Sequence, residues 1–213
     1  MQASAGSQGP HNLTEKGLAT RAHILRHAAD LIFAKGVGAT NNEMLRTAAG
    51  VSGSQLTHYF PNKESLVLAV IDWQVGSILG FHRHERFAGF DSVDAFQDWA
   101  DFYILSSRPF EDGCSLGSLA SEVIKTDLDI HDEFARAFEQ WRDIFREGLE
   151  RMQGLGRIEA SADPVRLANM FLAAYQGGML LAQVARDIAP LRDALYAAVD
   201  HLRTFATAAD GAS

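Results

Sequence analysis

The chain lacks several features that would assign it quickly. It has one cysteine in 213 residues, Cys114. No intrachain disulfide can form, which fits a reducing compartment and a cytoplasmic location. No basic-then-apolar leader opens the sequence, and no uninterrupted apolar run is long enough to span a bilayer, so no membrane partner is expected. Positive charge is in deficit: 19 Lys and Arg stand against 27 Asp and Glu, a net charge of −8. That excludes a coat protein held to nucleic acid by bulk charge. There is no Gly-rich phosphate loop, nucleophile elbow or paired metal motif. His82-Arg83-His84-Glu85 is rich in ligand types, but residues two apart on a helix do not share a face. His23 and His27 do share one, yet two histidines alone make a poor metal site. Cys114 follows a glycine and has no local activating partner, so it reads as a buried structural thiol. No enzyme activity, metal or cofactor is expected.

Helical periodicity is what the chain has in abundance. Ile24, Leu25, Ala28, Leu31 and Ile32 recur at helical spacing, and Lys35-Gly36 supplies a stop. Thr40 is placed to cap the next helix, with Met44, Leu45 and Ala48 on its inner face. Pro61-Asn62-Lys63-Glu64 opens a longer helix with Leu66, Val67, Val70, Ile71 and Trp73. Further helices are expected over 91–107, 115–125 and 130–153. The last carries Phe134, Phe138, Trp141, Phe145, Leu149 and Met152 in one stripe. A loop is expected over 109–113. Asp163-Pro164 reads as a cap followed by a first-turn proline, opening a helix with Leu167, Phe171, Ala174, Tyr175, Gly178 and Leu181. Pro190 opens a last one with Leu191, Leu195, Val199, Leu202 and Phe205. No strand or repeat is visible.

The most informative stretch is Thr40 to Lys63, TNNEMLRTAAGVSGSQLTHYFPNK. Two short helix patterns flank the turn Ala49-Gly50-Val51, and Ser52 caps the second. This is a helix-turn-helix, whose second helix is sized for the major groove of DNA. Charge supports the reading. Residues 1–66 carry 6 basic and 4 acidic side chains, and residues 67–213 carry 13 and 23. A mildly basic head on an acidic body focuses attraction for phosphate at one end.

Thr20-Arg21, Ile24-Leu25, Ala28-Ala29, Leu31, Phe33, Gly36, Thr40, Ala49-Gly50-Val51-Ser52, Leu56, Tyr59-Phe60 and Asn62-Lys63-Glu64-Ser65-Leu66 together resemble the TetR family of bacterial transcriptional regulators. The clear resemblance spans about residues 15 to 67, and Gly113-Cys114-Ser115-Leu116-Gly117 also looks like a stretch found in some members. It implies an all-α fold. A flexible arm (1–13) precedes a three-helix helix-turn-helix DNA-binding domain (14–66) and a larger helical ligand-binding and dimerisation domain (67–213). The implied activity is a repressor that binds a palindromic operator in double-stranded DNA as a homodimer formed through the last two helices. A small apolar or aromatic ligand would release it. A DNA-binding architectural or protein-interaction regulator without such a ligand is the alternative.

Ser52, Gly53, Ser54, Gln55 and Thr57 are expected to face DNA from the second helix of the motif. Gln55 can pair with adenine, and Thr57 can touch a base edge. Leu56 and Phe60 should anchor that helix to the core. His58 and Tyr59 at its end, with Lys63, Thr40 and Asn42, are expected on the phosphates. Glu43 stands where some members carry a base-reading arginine, so the operator cannot be borrowed from a relative. The ligand cavity is expected among Trp73, Phe81, His82, Phe102, Tyr103, Phe110, Cys114, Leu116, Trp141, Phe171, Tyr175 and Met179. Tyr103, Tyr175, Gln176, Cys114 and His82 would supply its polar groups. Ala173, Ala174, Gly177 and Gly178 would let helices approach closely at the dimer interface.

Overall fold

The computed structural model describes residues 13–83, 89–105, 113–126 and 128–208. The expected arm (but for Leu13), Phe110 and the His84-Glu85 pair lie outside them, as does most of the expected 109–113 loop. The described residues form nine helices and no strand, an all-α fold. They are α1 (Glu15–Ala39), α2 (Asn42–Ala49), α3 (Gly53–Tyr59), α4 (Lys63–His82), α5 (Val93–Leu105), α6 (Ser115–Val123), α7 (His131–Gly154), α8 (Pro164–Ala185) and α9 (Ala189–Arg203). The chain divides into two compact units between Val70 and Ile71, inside α4.

In the first unit, the Thr14 side chain caps α1 by accepting from the Gly17 amide at 3.2 Å. Ile24, Leu25, Ala28, Ala29 and Ile32 form its buried stripe. The helix breaks at Gly36, whose φ of 85° only glycine adopts without strain, and a last turn runs on to Ala39. Thr40 was expected to cap α2, but it ends α1 instead. It is buried, and its hydroxyl donates to the Gly36 carbonyl at 2.8 Å. The cap of α2 is Asn41, whose side chain accepts from the Met44 amide at 3.0 Å. The buried face of α2 is Leu45 and Ala49, with Ala48 exposed. Gly50 (φ 62°) ends it in the left-handed conformation. Likewise α4 is opened by Asn62 rather than Pro61: the Asn62 carboxamide accepts from the Ser65 amide at 2.8 Å.

In the second unit, α7 buries Phe134, Ala137, Trp141, Phe145, Leu149 and Met152; Phe138 is turned half outward, with Ala137 in its place. Asp163 caps α8 by accepting from the amides of Val165 and Arg166. Arg186, in the left-handed conformation, ends α8, and a short link returns the chain into α9. The two helices meet closely at Gly178. A β-carbon there would sit 2.9 Å from the Leu191 backbone, so one of the four small residues of α8 is used within the chain. Gly177 and Ala173 lie on the open side, with Leu181, which was expected inside. Gly148 of α7 plays a similar part to Gly178. A β-carbon on it would come within 2.5 Å of Phe90, a buried residue held at φ 42°.

Among the described residues α4 is long and apolar enough to cross a membrane by length and composition, with a mean hydropathy of 1.3. Asp72 and Gln74 interrupt it, and in this fold Val67, Val70, Ile71 and Val75 are buried against protein.

Candidate functional site

In the first unit, the motif is assembled by local bonds. The Ser52 hydroxyl accepts from the Gln55 amide at 3.2 Å, and the Gln55 carboxamide oxygen accepts from the Ser52 amide at 2.9 Å. This reciprocal capping box fixes where α3 begins. Leu56 and Phe60 are buried, four apart, and Arg21 stacks on the Phe60 ring at 5.1 Å. The opposite surface of α3 presents Ser54, Gln55, Thr57 and His58 to solvent. Tyr59 is half-buried. Its ring meets His58 edge-on at 4.9 Å, and its hydroxyl lies 3.6 Å from where a β-carbon on Gly17 would be.

Several of the expected DNA groups are already engaged. The Thr57 hydroxyl donates to the Gly53 carbonyl, and the Ser52 and Ser54 hydroxyls share a bond at 3.0 Å. The Gln55 oxygen belongs to the capping box, so a paired contact with adenine would compete with that bond; its amide nitrogen is the outward group. Thr40 is buried with its proton committed to Gly36. Thr40 and Asn42, together with Lys63 some twenty residues on, line one cleft of about 320 Å³. Lys63 reaches across to the Gly38 carbonyl at 3.5 Å. Lys63 brings a cation to this cleft, a group able to meet a phosphate.

Two residues of this surface, Asn41 and Arg46, were not singled out by the sequence, and His23, weighed there beside His27, takes a structural role. Asn41 is the cap that Thr40 was expected to be. The His23 ring bonds the Ala49 carbonyl at 3.0 Å, tying α1 to the turn of the motif, and its neighbour His27 packs edge-on against it. Arg46 lies across Gly53: a β-carbon built there would meet the Arg46 Cδ and Nε, each at 3.8 Å. Its place in α2, just after the buried Leu45, marks it as outward, but nothing in the sequence places it over the start of α3.

The second unit gathers most of the expected ligand residues into one aromatic cluster. Phe81 packs on Phe102 at 4.8 Å, Tyr103 on Tyr175 at 4.6 Å, and Trp141 on Tyr175 at 5.2 Å. Phe171 and Trp141 are buried within it, and Leu116 and Met179 are buried too. Trp73 is not part of it, standing 42% exposed on α4. The centre of the cluster is Trp99, which touches the rings of His82, Phe90, Tyr103, Phe145, Phe171 and Tyr175.

The polar groups of this cluster bond one another. The indoles of Trp99 and Trp141 both donate to His82 Nε2, at 3.0 and 3.3 Å, and His82 Nδ1 bonds the Ile78 carbonyl at 2.8 Å. An indole nitrogen can only donate, so Nε2 carries the lone pair, Nδ1 the proton, and the ring is neutral. Burial lowers its pKa to about 4. The Tyr103 and Tyr175 hydroxyls share a hydrogen bond, and burial pushes both phenols up. Cys114 caps α6, its Sγ accepting from the Gly117 amide and from Gln176, each at 3.3 Å; burial raises this thiol's pKa. A cleft of about 290 Å³ lies between α6 and α8, lined by Cys114, Ser118, Ser121, Gln176, Met179 and Gln183 among others. No group of three or more possible metal ligands occurs among the described residues.

Two family models match the chain. Residues 24–70 match the bacterial regulatory proteins of the tetR family, and residues 92–196 match the C-terminal domain of LmrA/YxaF-like transcriptional regulators. The HTH-type transcriptional repressor DhaR of Mycobacterium sp. (strain GP1) is 30% identical over 79 residues, 37% of this chain. The match spans 40% of that relative's length. Among solved structures, a TetR-family regulator from Cytophaga hutchinsonii superposes with a TM-score of 0.82 at 17% identity, covering 92% of this chain and 99% of that one. The reduced form of E. coli NemR gives 0.75 at 20% identity, covering 88% and 97%. At such identities the structures speak for the fold.

Proposed function

Because this chain belongs to the TetR family of bacterial transcriptional regulators, we propose that it is a repressor that binds a near-palindromic operator as a homodimer and leaves it when a small apolar or aromatic ligand binds. The observation that carries the DNA half is the two-sided α3. Leu56 and Phe60 hold it to the core, while Ser54, Gln55, Thr57 and His58 face outward. DhaR, matched over part of its length, is named a repressor. In a twofold dimer the two α3 helices would enter successive major grooves roughly 34–36 Å apart.

The dimer is supported by α8. Leu180, Leu181 and Val184 stand 61%, 58% and 76% exposed beside Gly177 and Ala173. A contiguous apolar face of this kind is stabilised by burial against a second copy. Leu181→Glu is expected to yield monomers in sedimentation velocity and to weaken operator binding, with helicity unchanged. A dimer that survives the substitution places the interface elsewhere.

The ligand is supported by the cleft between α6 and α8, which includes Cys114 and Met179 of the expected set. A second reading, a regulator without a small-molecule ligand, is favoured by the aromatic cluster, whose rings pack on one another and whose polar atoms are mutually bonded. Thermal shift against a broad set of lipophilic aromatic compounds separates the two. Stabilisation by none supports the second reading. If a compound binds, operator DNA must weaken its affinity by the factor by which it weakens DNA binding. A ligand whose affinity is indifferent to operator refutes the release mechanism.

A further inference from the structure

We infer that Arg46 of α2 is a specificity-determining residue that reads a guanine in the operator, supplying the side chain that Gly53 lacks at the start of the recognition helix. The inference rests on the DNA-binding reading above.

Gly53 is the first residue of α3 and lies on the expected DNA surface, but it has no side chain to offer a base. The stem of Arg46 fills that position from the neighbouring helix, with Cδ and Nε each 3.8 Å from where a Gly53 β-carbon would be. This is ordinary van der Waals contact, so the arginine is laid over the glycine without strain. Arg46 is exposed, and it forms no ion pair and no side-chain hydrogen bond among the described residues. Glu43, one turn earlier on the same helix, does not pair with it. The guanidinium is therefore available.

The neighbouring groups on α3 make this arginine more consequential. Ser52, Ser54 and Thr57 use their hydroxyls within the helix, and the Gln55 oxygen is held by the capping box. Few donors on α3 itself are left to read a base. A guanidinium is a rigid planar donor pair, which matches the O6 and N7 acceptors of guanine in the major groove. A lysine carries the same charge as a single point and lacks the paired geometry.

The test is selection from random double-stranded DNA by the full chain, by Arg46→Ala and by Arg46→Lys, each first checked for an unchanged unfolding midpoint. The wild type should select an inverted repeat with a fixed guanine in each half-site. Arg46→Ala should lose that preference by roughly tenfold to a hundredfold and keep the others. Arg46→Lys should keep the salt dependence of binding without recovering the full preference. Arg46→Ala selecting the same sequence as wild type overturns the inference. So does a loss uniform across sequences with the salt slope reduced by about one, which marks a phosphate contact. A wild-type chain that selects no sequence overturns the DNA-binding reading itself, and this inference with it.

Discussion

Acid should loosen the second unit through one residue, His82. Its imidazole is 1% exposed, enclosed by Phe81, Phe90, Trp99, Tyr103, Trp141 and Phe145, and held as the acceptor of two indole N–H groups. A proton on Nε2 would set three donors against one another in a buried site. Arg83, Arg151 and Glu147 are the charged groups lining the small cleft beside it. Burial accordingly lowers the pKa from 6.5 to about 4. In the unfolded chain the ring returns to about 6.5. The folded pKa is the depressed one, so the unfolded state binds the proton first. Stability is complete above about pH 7, falls as pH drops from about 6.5 towards 4, and levels off below 4. The loss works out to about 3 kcal/mol, a large fraction of the roughly 5–15 kcal/mol that holds a typical domain.

The assay is urea unfolding at pH 7, 6, 5 and 4, at fixed protein concentration, for the wild type and for His82→Gln. The glutamine keeps an acceptor near the indoles but cannot titrate. Other groups titrate alike in both proteins and cancel in the difference. The variant should therefore gain about 3 kcal/mol relative to wild type between pH 7 and pH 4. A difference that stays flat across that range refutes the neutral, doubly accepting histidine.

Gly148→Ala should destabilise the fold by about 1–3 kcal/mol, because its β-carbon would press to 2.5 Å on Phe90, whose backbone conformation leaves it little room to yield. Thermal unfolding reads this directly, and an unchanged midpoint would show that the 89–91 segment moves aside. Ser52→Ala removes one half of the capping box and should cost about 1 kcal/mol. Operator affinity should fall further than stability, since the start of α3 is what the box fixes. Equal loss in both would make Ser52 a cap and nothing more.

How legible the molecule is depends on how local each relation is. Ser52 with Gln55, Leu56 with Phe60, and Asp163 with Val165 and Arg166 are bonds or contacts within four residues, and the sequence carries them. The run Thr40-Asn41-Asn42 offers three competent caps in a row, and periodicity cannot choose among them. The choice fell to Asn41 because the Gly36 carbonyl, freed by the break in α1, takes the Thr40 hydroxyl. On α8 a single step decides between faces: Gly178 packs on Leu191, while Gly177 is open. The meeting of His82 with Trp99 and Trp141 spans 17 and 59 residues, and that of Arg46 with Gly53 crosses a turn. Only the fold brings such pairs together.

The same distinction bears on where a ligand could act. The aromatic residues gathered around Trp99 pack on one another, and each polar group that was to orient a ligand already has a partner within the chain. A ligand entering at His82 would have to take over two indole donors at once, and one entering at the tyrosines would have to replace their shared bond. At the α6–α8 cleft the terms are easier. The Gln176 bond to the Cys114 sulfur is a weak one at 3.3 Å, and Ser118, Ser121 and Gln183 line the same space. A molecule that binds there by hydrogen bonds would release one weak contact and gain stronger ones, next to the face through which α8 is proposed to pair. Gln176→Leu should therefore abolish stabilisation by such a compound in thermal shift while leaving His82 and its two tryptophans intact. A compound that binds this variant as well as it binds the wild type must enter by another route.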